Sequence, residues 1–111
     1  MLTNQEMLII AEKYMVFSSD EDTELILYQG RVIEKPYGNI YYYNDKIYIE
    51  TGDFQHHVVT EPFLVEKSTG RVVNFGTAHP LEFYIDEYEK GTMIPSLDLY
   101  WYPNTQKYSH K

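Results

Sequence analysis

The pattern of apolar and polar positions is clearest between residues 62 and 88, where a strand-like period of two gives way to a helical period. In PFLVEKSTGRVVNF the β-rich run Phe63-Leu64-Val65 is followed by Lys67-Ser68-Thr69-Gly70, a turn in which Gly70 can adopt positive φ, and Arg71 to Phe75 returns. Gly76-Thr77 breaks the strand, and Pro80 stands where a first helical residue needs a fixed φ and no amide proton. Leu81, Tyr84, Ile85 and Tyr88 then recur at i, i+3, i+4 and i+7, and Lys90-Gly91 supplies a stop. A helix over this segment, packed on the antiparallel hairpin, is the expected local unit. The stripe Leu81, Ile85, Tyr88 and the N-terminal helix are expected to share a common interior.

Thr3 followed by Glu6 forms a capping-box pattern and predicts a helix from Asn4 to Phe17. Met7, Leu8, Ala11, Tyr14 and Met15 share its main face. Ile9, Ile10 and Val16 widen the apolar surface, so burial on more than one side, or cover from a neighbouring segment, is expected. Ser18 to Glu24 reads as a solvated acidic linker. Leu25 to Glu34 and the aromatic run from Asn39 read as strands joined by a Pro36-Tyr37-Gly38 turn. Asn44-Asp45 is either a tight turn or a bulge, since Ile47, Tyr48 and Ile49 resume the apolar pattern. Beyond the central helix, Leu97, Leu99 and Trp101 alternate with polar-edged residues and predict an added edge strand, followed by a frayed end over the last eight residues. The fold class is therefore α+β: an N-terminal helix, an antiparallel sheet of about four to five strands, a helix after the central hairpin, and an extra C-terminal strand. Residues 1–92 form the expected domain and 93–111 a C-terminal extension.

Composition narrows the chemistry. With 111 residues, 43% of them apolar and 16% aromatic, the chain suits one domain with one core. The net charge of −8, from 17 acidic and 9 basic residues, argues against nucleic acid and anionic membranes and favours a basic partner. Absent cysteine removes disulfides, thiolate metal sites and a cysteine nucleophile, in keeping with a cytoplasmic location. No signal peptide or membrane span is expected. No catalytic motif appears, His56-His57 lacks metal-ligand spacing, and the chain is expected to be non-enzymatic, without cofactor or metal. The 12 tyrosines suggest a sheet with a half-exposed aromatic face, with no basic residue interleaving the rings. On the central helix Glu82, Asp86 and Glu89 form an acidic stripe with Phe83 beside it, readable as a plain solvated face or as a contact for a basic protein surface.

The segment PFLVEKSTGRVVNFGTAHPLEFYIDEYE resembles the small bacterial YrhB-like proteins, also called the immunity protein 35 family. The residues concerned are Pro62, Lys67 with Gly70, Val72-Val73, Gly76-Thr77, Pro80 and Tyr84, with Tyr88 close behind; ETGD at Glu50 to Asp53 and the aromatic strand Tyr41 to Tyr43 also fit. With the leading helix, the resemblance covers about residues 3 to 91. Two departures are Val58-Val59-Thr60-Glu61, where the family tends to carry a small or Gly-containing segment, and tyrosine in place of a Trp often seen in the aromatic strand. The Leu97 to Tyr102 strand lies outside the pattern. The resemblance implies an α+β domain without enzyme activity that binds and blocks a cognate polymorphic toxin in the cytoplasm, and it also touches a chaperone-like member. The shared residues set turns, a helix start and core, so specificity is expected on variable surfaces. Chemistry rather than resemblance selects the candidate partner-binding residues: Glu82, Phe83, Asp86 and Glu89, with Tyr41 and Tyr43 of the aromatic strand and Trp101 of the added strand. A chaperone-like or general interaction module is the alternative, and a small-molecule binder built on a tyrosine-lined pocket is the third reading.

Overall fold

In the computed structural model, which describes residues 1–110, the chain forms an α+β fold with a six-stranded antiparallel sheet. Helix α1 (Asn4–Ser18) is followed by β1 (Leu25–Lys35), β2 (Gly38–Asp45), α2 (Lys46–Thr51), β3 (Phe63–Glu66), β4 (Val72–Asn74), α3 (Leu81–Lys90), β5 (Tyr100–Tyr102) and β6 (Lys107–Ser109). The strands lie in sequence order, each antiparallel to the next. The sheet thus exceeds the four to five strands expected. The segment expected to fray contributes β6, whose Tyr108 pairs with Trp101, so β5 is an inner strand and β6 the edge.

Local chemistry accounts for most boundaries. The capping box closes reciprocally, with Glu6 N donating to Thr3 Oγ1 at 3.1 Å and Thr3 N to Glu6 Oε1 at 2.9 Å. At Asn44-Asp45 the chain neither turns tightly nor continues as a strand. The Asp45 carboxylate accepts from Ile47 N at 2.7 Å and Tyr48 N at 3.2 Å, capping α2, so Ile47 to Ile49 are helical. Apolar alternation over so few residues does not separate strand from helix; the cap decided it. The buried Asn44 amide pins the following loop in a reciprocal pair, Nδ2 to Val58 O and Val58 N to Oδ1, both 3.1 Å. Gly38 opens β2 beneath β3, where an added Cβ would meet Val65 O at 2.2 Å. The β1–β2 ladder is broken midway. Leu27 faces Tyr43 and Val32 faces Tyr41, leaving Tyr28 to Arg31 bulged opposite Tyr42.

The alternation of side chains along the strands produces two interiors. Tyr41, Phe63, Val65, Val72 and Trp101 point to α1 and meet Met7, Ala11, Tyr14 and Met15. Ile40, Leu64, Val73, Phe75 and Leu99 point the other way, where Leu81, Tyr84, Ile85 and Tyr88 of α3 cover them. The helices therefore do not share an interior as expected from sequence: strands β2 to β5 run between them, buried on both faces. Of the three residues that widen the apolar surface of α1, Ile10 is half-buried against the core, while Ile9 and Val16 are exposed and not covered by any described segment.

Candidate interaction surfaces

The proposed contact residues separate once placed in the fold. Tyr41 and Trp101 are 2% and 0% exposed, both in the α1-side core, and are corrected from surface contacts to interior packing. Period-two alternation placed Leu97, Leu99 and Trp101 on one strand face, but β5 begins only at Tyr100, Leu97 is exposed, and Leu99 and Trp101 turn to opposite interiors. Trp101 lies between Tyr14, 4.9 Å away, and Phe17, 5.2 Å away. Tyr43 is half-buried against Phe63 at 5.7 Å, and burial, with the charge of Glu61 behind it, pushes its hydroxyl up to about 12. Glu82, Phe83, Asp86 and Glu89 are all exposed on α3. Two of these carboxylates are already engaged. Asp86 pairs with Lys90 at 2.9 Å, and Glu89 accepts from Tyr37 OH at 2.6 Å. Glu82 and Phe83 are left facing outward at the N-terminal half of the helix.

Cations do meet tyrosine rings, against the expectation of no interleaving, but within the chain itself. Arg31 lies 4.4 Å from the Tyr42 ring centre and 5.1 Å from that of Tyr28, and Arg71 lies 3.8 Å from that of Tyr100. Arg71 also donates from Nε to the buried Glu66 carboxylate at 2.5 Å. Glu66 accepts further from Thr69 Oγ1 at 2.7 Å and from Tyr88 OH at 2.5 Å, which ties the β3–β4 hairpin to α3. Burial pushes the Glu66 carboxyl up, but hydrogen bonds from Arg71, Tyr88 and Thr69 and the adjacent guanidinium outweigh it and hold the carboxyl below its ordinary value. Burial and the Glu66 bond raise Tyr88 in turn. With its donors supplied by three neighbours, this carboxylate braces the fold.

Two concavities adjoin these elements. A groove of about 820 Å³ runs between α1 and edge strand β1, floored by Leu8, Met15, Leu25, Leu27 and Tyr41 and bordered by Glu12 and Glu24. A cleft of about 430 Å³ lies on the flank of α3 that carries Phe83, Tyr84 and Glu87, and is completed by Glu61, His79 and Asp98. Sequence reasoning missed Glu61, Glu87 and Asp98 as a group, because Glu61 precedes β3 and Asp98 precedes β5 and only the sheet order brings these loops together. His56 and His57 are not joined by further ligands; His57 packs edge-on against Tyr48 at 4.7 Å. Among the described residues no three His, Asp or Glu side chains converge as a metal site requires, and no helix is long and apolar enough to cross a membrane.

No family model matches the chain, and no solved structure matches it. The uncharacterized protein YrhB of Escherichia coli (strain K12) is 40% identical over 43 residues, 38% of this chain and 46% of that protein. The chain is YrhB-like over that stretch. The match spans less than half the length of this curated relative.

Proposed function

We propose that the protein is a non-catalytic immunity protein that binds a cognate bacterial toxin through a basic surface of that toxin and neutralises it in the cytoplasm. The observation that carries this reading is the flank of α3, where the exposed ring of Phe83, next to exposed Glu82 in the chain, borders a cleft bearing three carboxylates, on a chain of net charge −8. Basic partners are drawn to such a field at long range, and an aromatic beside it provides a contact that excludes water. The resemblance to the immunity protein 35 family supports the same role, and the donor-saturated state of Glu66 fits a scaffold rather than a general acid or base. The test is co-expression with the products of the adjacent genes. One of them is expected to co-purify at equal stoichiometry and to lose its toxicity; failure of every neighbour to bind overturns the proposal.

A chaperone-like interaction module is the second reading, favoured by the apolar groove beside β1 and by exposed Val16 and Val32 on its rim. That reading expects suppression of aggregation for unrelated clients, whereas an immunity protein binds one.

A further inference from the structure

We infer that the cleft beside α3 is a receptor for a single guanidinium-bearing side chain, an arginine presented by the partner protein. The inference rests on the reading of this flank as the partner face and names the group it takes. The walls are aromatic: His79 and Phe83 have ring centres 4.1 Å apart, Phe83 meets Tyr84 edge-to-face at 5.2 Å, and Tyr84 stacks on buried Phe75 at 6.2 Å. Three carboxylates, Glu61, Glu87 and Asp98, stand around those rings. Among the described residues, no lysine or arginine lines the cleft. Glu87 accepts from Thr92 Oγ1 and Asp98 accepts from Ser96 Oγ at 3.1 Å, both neutral donors, and the charge of Glu87 is shared only at a distance with Lys90. Burial, and then the negative charge of Asp98, raise the proton affinity of the half-buried Glu61, and the Asp98 repulsion is the part that an added positive charge would relieve.

The form of that charge follows from the lining. The carboxylates do not converge as metal ligands do, which disfavours a bare divalent ion. A planar cation with five donors can reach separated acceptors while its face lies on a ring. The cleft volume of about 430 Å³ has room for one long side chain. Arginine is also enriched among the residues that anchor protein interfaces, in step with a neutralising complex.

The test is an NMR titration of the full chain with Nα-acetyl-arginine amide, set against Nα-acetyl-citrulline amide, its neutral isostere, at matched ionic strength. Arginine amide is expected to give saturable shifts confined to the cleft, with Kd on the order of 1–10 mM, and citrulline amide none. Glu61→Gln combined with Asp98→Asn is expected to weaken binding at least about fivefold, as is Phe83→Leu, which keeps apolar bulk and removes the ring, while Glu50→Gln on α2 leaves it unchanged. Absence of saturable shifts, equal response to citrulline, or unaltered affinity in both cleft variants overturns the inference. Capture of a toxin without arginine-amide binding sinks the cleft assignment alone. Arginine-amide binding without capture of any neighbouring gene product sinks the neutralisation reading alone.

Discussion

At the scale of single residues, three side chains carry sharp expectations. Gly38 lies against the backbone of β3, so Gly38→Ala cannot be absorbed by a rotamer change and is expected to cost about 1–3 kcal/mol in urea denaturation, more than a typical surface substitution. Trp101 is the chain's only tryptophan, fully buried, with its indole N–H unpartnered among the described residues. Trp101→Phe discards that orphan donor along with some volume and is expected to destabilise less than Trp101→Ala, for which about 3–5 kcal/mol is usual. Equal losses for the two would show that a phenyl ring recovers none of the packing of the indole. Glu66 governs the acid limb. Its folded pKa is depressed, so its stabilisation is complete above the unfolded carboxylate value of about 4.3 and is lost as pH falls through the folded value. The urea midpoint is expected to hold from neutral pH down to about 5 and to fall below that, and Glu66→Gln is expected to lower the midpoint at pH 7 while flattening its decline.

At the scale of elements, the periodic segments announced themselves and the short ones did not. The capping box fixed the start of α1, and Pro80, Gly91 and the four-residue apolar stripe fixed α3, because each signal is contained within the element it defines. Helix α2 stands where a turn or a bulge in strand was expected, because its deciding bonds, from Ile47 N and Tyr48 N to the Asp45 carboxylate, compete with an apolar alternation that suits either structure. The packing of α3 on the hairpin was legible in its apolar stripe, but the side-chain ties were not: Tyr88 reaches Glu66, and Tyr37 stacks against Tyr88 with ring centres 5.0 Å apart, across 22 and 51 residues of chain. Tyr88→Phe removes the hydroxyl and keeps the ring. It is expected to speed amide exchange across α3 while leaving α1 protected, since the two helices cover opposite faces. Equal acceleration in both helices would mean that they open as one unit.

At the scale of the whole molecule, the two-sided sheet makes the C-terminal strands part of the core. Leu99 serves the α3-side interior and Trp101 the α1-side interior, so removal of residues 93–111 strips a side chain from each. Truncation at residue 92 is expected to abolish cooperative thermal unfolding; a sharp transition in the shortened chain would show that residues 1–92 fold independently. The tyrosines set the alkaline limit. Tyr14, Tyr37, Tyr43 and Tyr88 are all raised, chiefly by burial, and the unfolded chain therefore loses these protons first. Their stabilisation is intact below about pH 10 and is lost progressively above it, so the thermal midpoint is expected to drop beyond that point. What the amino-acid order determined alone was the long periodic elements α1, β1, β2 and α3, the central hairpin and the net negative field, since each depends on neighbours in sequence or on a sum over them. Only the tertiary structure decided that the helices take opposite faces, that Tyr41 and Trp101 are interior, and that Glu61, Glu87 and Asp98 surround one cleft, because those outcomes depend on which strand lies beside which.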